Sequence, residues 1–230
     1  MAEFKVILAQ DLRQANRDQA EANRSLFQAS GVTVVNLISS PGAGKTSILE
    51  ATLARLTGDL QIGVIEGDIA TTRDAARINR WGGPVVQINT AGACHLDAAL
   101  VAAALPELPL EDLDLLFIEN VGNLVCPAEF DLGEDVKAGI LSVAEGSDKP
   151  LKYPLVFQEA GVLLLNKIDL LPYSDFDLAA CRQDLNGLNP NLLVLPLSAR
   201  TGEGLEEWCL WLQQQVALKK ARTSPCGVTA

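Results

Sequence analysis

Gly42, Gly44, Lys45 and Thr46 stand in the segment Ser39-Ser40-Pro41-Gly42-Ala43-Gly44-Lys45-Thr46, directly after the apolar run Val32–Ile38. Glycines leave room for several backbone N–H groups to close on an anion, and they accept positive φ angles. A lysine at the next position reaches β- and γ-phosphate oxygens, and a threonine hydroxyl ligates Mg²⁺. A helix predicted from Lys45 to Leu56 points its positive end at the same anion. Strand, loop and helix in this order predict a nucleoside triphosphate cradled by Gly42, Ala43, Gly44, Lys45, Thr46 and Ser47. Ser39 stands where the pattern G-x-x-x-x-G-K-[ST] has glycine.

Asn166-Lys167-Ile168-Asp169 follows the run Gly161–Leu165, at the carboxyl end of a strand, where open α/β sheets bind ligands. A carboxylate there accepts from both N1–H and the 2-amino group of guanine; adenine offers no such pair of donors. Ser198-Ala199-Arg200 closes the run Leu192–Leu197. Asn166, Lys167, Asp169, Ser198 and Ala199 thus predict a guanine site, and the two segments resemble the N-K-x-D and S-A-[KL] motifs of P-loop GTPases. An ATP-dependent kinase on the same fold conflicts with Asn166-Lys167-Ile168-Asp169.

Leu115–Gly122 resembles the metal-side strand of a P-loop enzyme, with Glu119 where most GTPases have Asp; a carboxylate there orients Mg²⁺ directly or through water. Gly122 is placed to offer its N–H to the γ-phosphate. Glu66-Gly67-Asp68 ends the run Ile62–Ile65, and Asp68 is expected as a partner of Mg²⁺ or of the attacking water, a solvated surface carboxylate being the plain alternative. Lys45, Thr46, Asp68 and Glu119 form the candidate catalytic set. No glutamine follows Gly122, so slow hydrolysis is expected.

A second chemistry surrounds the single histidine, in Gly92-Ala93-Cys94-His95-Leu96-Asp97, at the predicted start of an alanine-rich helix, His95–Leu105. A helix N-terminus favours the thiolate that a soft divalent metal needs. Cys126 comes four residues after Gly122, on a segment that would rearrange when the γ-phosphate is lost. Cys94, His95 and Cys126 supply three ligands, one short of a closed tetrahedral zinc site, and a second copy of the chain would complete or duplicate the set. Spacing alone fits equally well two small apolar cysteines and a helix-capping histidine.

The elements that must position these residues alternate along the chain. Apolar runs at Val32–Ile38, Ile62–Ile65, Val85–Ile88, Leu113–Ile118, Val162–Leu165 and Leu192–Leu197 are separated by helical patterns at Thr46–Leu56, Thr72–Trp81, His95–Leu105, Asp175–Leu185 and Gly204–Leu218. This predicts a doubly wound α/β fold with a mainly parallel sheet of about seven strands. Residues 145–160 read as loop or a short irregular segment. A polar helix from Asp11 to Gln28 has only a thin apolar stripe and reads as an arm. The expected layout is an arm over residues 1–30, one nucleotide-binding domain over 31–218 and a tail over 219–230, its basic cluster Lys219–Arg222 solvated.

A net charge of −11 excludes an extended nucleic-acid face, because phosphate backbones repel an acidic surface. No apolar run approaches the ~20 residues that span a bilayer, and Val6–Ala9 is too short for a secretory signal, so a cytoplasmic protein is expected. Five cysteines, an odd number, do not suggest a disulfide framework. Cys181 and Cys209 fall in helical patterns as small residues, and Cys226 lies in the tail.

Ser39–Thr46, Glu66-Gly67-Asp68 with Thr71, Cys94-His95-Leu96-Asp97, Glu119-Asn120-Val121-Gly122-Asn123-Leu124-Val125-Cys126-Pro127 and Asn166–Asp169 together resemble the HypB family, GTPases for nickel incorporation into nickel–iron hydrogenases, from about Asn16 to Glu206. The family reads Ser-Ser-Pro-Gly in its phosphate loop, which accounts for Ser39. The resemblance implies a GTPase of the signal-recognition-particle and Min-protein branch, cycling GTP and GDP with Mg²⁺. It implies a homodimer with nucleotide that holds nickel or zinc through Cys94, His95 and Cys126 at the subunit interface. It also implies two partners, a HypA-type nickel metallochaperone and a hydrogenase large-subunit precursor. Some relatives carry an N-terminal cysteine-rich nickel motif or a histidine-rich tract; this chain has neither, so a separate nickel store is not expected. A urease-type nickel GTPase is expected to carry Cys-Pro-His, whereas Cys126-Pro127 is followed by Ala128. The alternative of another class is a nucleotide-gated docking module with structural zinc.

Overall fold

The computed structural model describes residues 9–68 and 77–223. Seven parallel strands form one sheet in the order β3-β2-β4-β1-β5-β6-β7: β1 Thr33–Ser39, β2 Ile62–Asp68, β3 Val85–Asn89, β4 Leu115–Glu119, β5 Val136–Ser142, β6 Val162–Asn166 and β7 Leu193–Pro196. The α-helices that lie wholly within the described residues are α1 Ala9–Ser30, α2 Lys45–Leu56, α3 Ala98–Ala104, α4 Cys126–Glu129, α5 Lys149–Lys152, α6 Pro154–Glu159, α7 Leu178–Leu188 and α8 Leu205–Thr223. The fold is the doubly wound, parallel P-loop architecture that the alternation predicts.

Both faces of a parallel sheet are covered, so its strands read as nearly continuous apolar runs. Successive β1 side chains divide between the layers: Val35 and Leu37 pack with Ile48, Leu53, Trp208 and Leu212 under α2 and α8, while Val34 packs with Phe27, Leu96 and Val101 under α1 and α3. A third cluster joins Ile38, Leu141 and Leu163 to Phe157, Cys181 and Leu185 of α6 and α7. The buried Trp208 indole N–H donates to Thr52 Oγ1 at 3.0 Å, fixing α8 against the helix that follows the phosphate loop.

The structure departs from the sequence pattern in several places. β5 was absent from the apolar runs because Lys137, Ala138 and Gly139 dilute it; it nonetheless lies between β1 and β6. Residues 145–160 contain α5 and α6, each with a proline in its first turn. The predicted helix His95–Leu105 begins only at Ala98, because Asp97 caps it: its Oδ1 accepts from Leu100 N–H at 2.8 Å. Half of the helix predicted over Thr72–Trp81 lies outside the described residues, as do Thr71 and Cys226; residues 77–78 are helical and Asn79–Trp81 is a 3₁₀ turn. α8 continues to Thr223, so Lys219 and Lys220 are paired with Asp135 and Asp114 rather than lying in a solvated tail.

α1 docks largely through polar contacts, which explains its thin apolar stripe. Asn23 is fully buried and donates to the carbonyls of Ala98 (2.9 Å) and Leu132 (3.0 Å). Asn16 accepts from Ala98 N–H at 2.9 Å and donates to Asp131 O at 2.9 Å. α1 thereby ties the start of α3 to the loop after α4. No helix among the described residues is long and apolar enough to cross a membrane.

Candidate functional site

At the carboxyl ends of β1, β2 and β4 a cavity of about 490 Å³ is lined by residues including Ser40, Gly42, Lys45, Thr46, Asp68, Glu119 and Gly122. The loop turns into α2 through Gly44, at φ +101°, where a Cβ would lie 2.3 Å from Asn166 Nδ2. Both the left-handed backbone and this close approach require glycine. Glu119 is buried; its Oε1 accepts from Thr46 Oγ1 at 2.6 Å and lies 3.3 Å from Lys45 Nζ. Its Oε2 is buried without a hydrogen-bond partner. A threonine hydroxyl and a carboxylate with one unused oxygen are the hard donors that Mg²⁺ takes, so the residues present fit that ion. Asp68, at the end of β2, faces the same cavity, as does Glu66, which is in register with Glu119. Gly122 sits against the loop, where a Cβ would approach Pro41 at 3.3 Å.

A second cavity, of about 560 Å³, adjoins the first at Gly44, Ser47 and Lys167 and is walled by Asn166, Asp169, Ser198, Ala199 and Arg200. Asn166 Nδ2 donates to Ala43 O (2.8 Å) and its Oδ1 accepts from Ala199 N–H (3.1 Å), so one amide clasps both loops. Lys167, in the left-handed region at φ 64°, donates to Gly42 O at 2.7 Å. Ser198 Oγ donates to Asp169 Oδ1 at 2.7 Å, and Arg200 lies 3.8 Å from Asp169 Oδ2. All five residues predicted at the base meet here. Glu50, Ala51, Ala54, Trp81 and Leu170 complete the wall and were not read from sequence. Arg77, which also faces the first cavity, is held to Glu50 through its Nε at 3.1 Å.

Cys94, His95 and Cys126 converge: one ligand atom from each lies within 4.8 Å of the others. Cys94 and His95 occupy the turn before α3, and Cys126 opens α4. Cys94 Sγ is 3.5 Å from His95 Nδ1, and the imidazole lies 4.0 Å, centroid to centroid, from the Phe130 ring at 31°. Burial lowers the His95 pKa against the pull of Asp97 and Glu129, favouring the neutral imidazole that a metal requires. The hydrogen bond with Cys94, and then burial, push the Cys126 thiol up. The expected assistance from a helix N-terminus does not apply to Cys94, because α3 starts only at Ala98, with Asp97 as its cap. Asp97 also takes the capping role that the plain reading gave to His95. Two sulfurs and one imidazole suit a borderline or soft divalent ion. Cys181 and Cys209 are buried in the core, Cys181 with its pKa raised by burial to about 11, and neither joins the cluster.

Sequence comparison places the molecule among known proteins. The family model for the CobW/HypB/UreG nucleotide-binding domain matches residues 33–196, which with this fold makes the protein a P-loop GTPase. The hydrogenase maturation factor HypB of Escherichia coli is 52% identical over 205 residues, covering 89% of this chain and 71% of the relative. That of Azotobacter vinelandii is 53% identical over 208 residues, covering 90% and 69%. The crystal structure of HypB from Helicobacter pylori in complex with nickel matches with a TM-score of 0.85 at 36% identity, covering 89% of this chain and 96% of that one. The chain belongs to the HypB family of hydrogenase maturation factors.

Proposed function

We propose that the protein is a GTP-hydrolysing nickel metallochaperone in which nucleotide state sets the geometry of the Cys94, His95 and Cys126 site. The observation that carries this reading is the placement of Cys126 four residues after Gly122, which lines the phosphate cavity. Loss of the γ-phosphate releases Gly122 and so displaces a metal ligand on the same short segment. Lys45 would offset phosphate charge, Thr46 and Asp68 would hold Mg²⁺ with the Glu119 carboxylate beside them, and Asp169 would select guanine. Mg²⁺, when bound, neutralises charge on the β- and γ-phosphate oxygens. Three ligands per chain leave the site one short of four, and a GTP-dependent homodimer brings two such sets together. Zinc competes for the same donors.

Family membership supports a cytoplasmic role in supplying Ni²⁺, with a HypA-type metallochaperone, to the precursor of a nickel–iron hydrogenase large subunit. Hydrolysis is slow, because Asn123 rather than glutamine follows Gly122.

The test is competition for Ni²⁺ between the full chain and a coloured chelator, with GDP and then with a non-hydrolysable GTP analogue. An affinity that differs between the two states in wild type, and no longer differs in Cys126→Ala, is the expected result. Equal wild-type affinities would instead favour a docking module whose metal is only structural.

A further inference from the structure

Asn120 is fully buried at the end of β4, between Glu119 and Val121. Its side-chain carbonyl accepts from two backbone N–H groups, Leu96 at 3.0 Å and Val121 at 3.0 Å. Leu96 directly follows Cys94-His95, and Val121 directly precedes Gly122. One oxygen atom is therefore shared by the segment carrying two metal ligands and the segment lining the phosphate cavity. Asn120 Nδ2 donates to Asn36 Oδ1 (3.3 Å), Asn36 Nδ2 donates to Glu134 Oε1 (3.2 Å), and Glu134 Oε2 accepts from Leu132 N–H (2.6 Å). The amide is thus held at both ends within a buried polar chain, and such groups do not give up partners without cost.

The side chain of Leu96 supplies an independent contact. It is fully buried against Gly67, where an added Cβ would come within 2.8 Å of it. Gly67 lies between Glu66 and Asp68 in the wall of the phosphate cavity. Both cavity-side segments therefore meet the metal segment at Leu96, one through its N–H and one through its side chain.

We propose that Asn120 is a positioning residue that couples nucleotide state to Cys94 and His95. A shift of Val121-Gly122 moves the shared Asn120 oxygen, the Leu96 N–H follows, and the turn bearing Cys94 and His95 is re-aimed. The inference rests on the nucleotide-controlled metal binding proposed above. It adds a route to two ligands that the direct chain connection from Gly122 to Cys126 does not reach.

The experiment compares Ni²⁺ affinity in GDP and in a non-hydrolysable GTP analogue for wild type and Asn120→Ala, together with amide hydrogen exchange of Leu96 in metal-free wild type. In wild type the two affinities are expected to differ by about fivefold or more, the lower end of ordinary allosteric coupling. In Asn120→Ala nickel and GDP still bind, and the ratio falls below about twofold. The Leu96 N–H is expected to exchange at different rates in the two nucleotide states, a reading that needs no variant and decides the matter if Asn120→Ala does not fold. A ratio that survives intact in Asn120→Ala, or a Leu96 exchange rate indifferent to nucleotide, overturns the coupling through Asn120 and leaves the metallochaperone reading standing. A wild-type ratio of one overturns that reading, and this coupling with it.

Discussion

Glu119 holds both Lys45 and Thr46 through one oxygen, so the groups expected to meet phosphate and Mg²⁺ are gathered before either arrives. Gly44 is equally constrained, and Gly44→Ala is expected to abolish GTP binding in an equilibrium titration, since neither φ +101° nor the Asn166 amide tolerates a Cβ. Asp169→Ala removes the carboxylate proposed to accept from two guanine donors. It should weaken GTP by at least about 2 kcal/mol, roughly thirtyfold, while leaving ATP binding unchanged in the same competition assay. These residues line two adjoining cavities; that they would gather at strand ends was legible in sequence, because their types fall at close spacing directly after apolar runs. Trp81, Arg77 and Phe130 were not, because what places them is tertiary contact between distant segments. Asn36 could have been noticed, as a polar residue within an otherwise apolar strand.

α1 shows how an element can dock by polar groups that hydropathy does not register. Asn23→Ala leaves the buried carbonyls of Ala98 and Leu132 without their donor and should destabilise the fold by about 1–3 kcal/mol, read as a lower denaturant midpoint. Arg24 Nη2 reaches Asp131 at 2.5 Å across the same interface. Burial alone would raise the Asp131 carboxyl, but the Gly133 N–H and the Arg24 guanidinium outweigh it and hold its pKa below the ordinary value. A carboxylate lowered in the folded state stabilises above its unfolded pKa, and that stability is lost as pH falls through the folded value. Asp131→Asn should therefore lower stability near neutrality and flatten its decline below about pH 4, followed by denaturant titration across pH. The helices flanking the site were legible where apolar period and caps agree, as in α2. β5 escaped because its centre is Ala138-Gly139, small residues that suit a strand packed closely between neighbours but carry little apolar signal.

Across the whole molecule, the sheet brings two cavities and one thiol–imidazole cluster to the carboxyl ends of its strands, and the order of elements needed for this was visible in the alternation of the chain. The convergence of Cys94, His95 and Cys126 was only suggested by spacing, because it depends on the loops after β3 and β4 lying side by side. Sedimentation of the metal-loaded protein is expected to give a dimer with the GTP analogue and a monomer with GDP. Phosphate release should be slow, below about 10⁻² s⁻¹, as for GTPases acting without an activating partner. The most direct measurement is nickel K-edge X-ray absorption of the loaded protein in the GDP and GTP-analogue states. Sulfur and imidazole scattering in both, with a different sulfur count or distance between them, is the expected result. Identical spectra in the two states, or nickel without sulfur ligands, would contradict nucleotide control of a Cys94, His95 and Cys126 site.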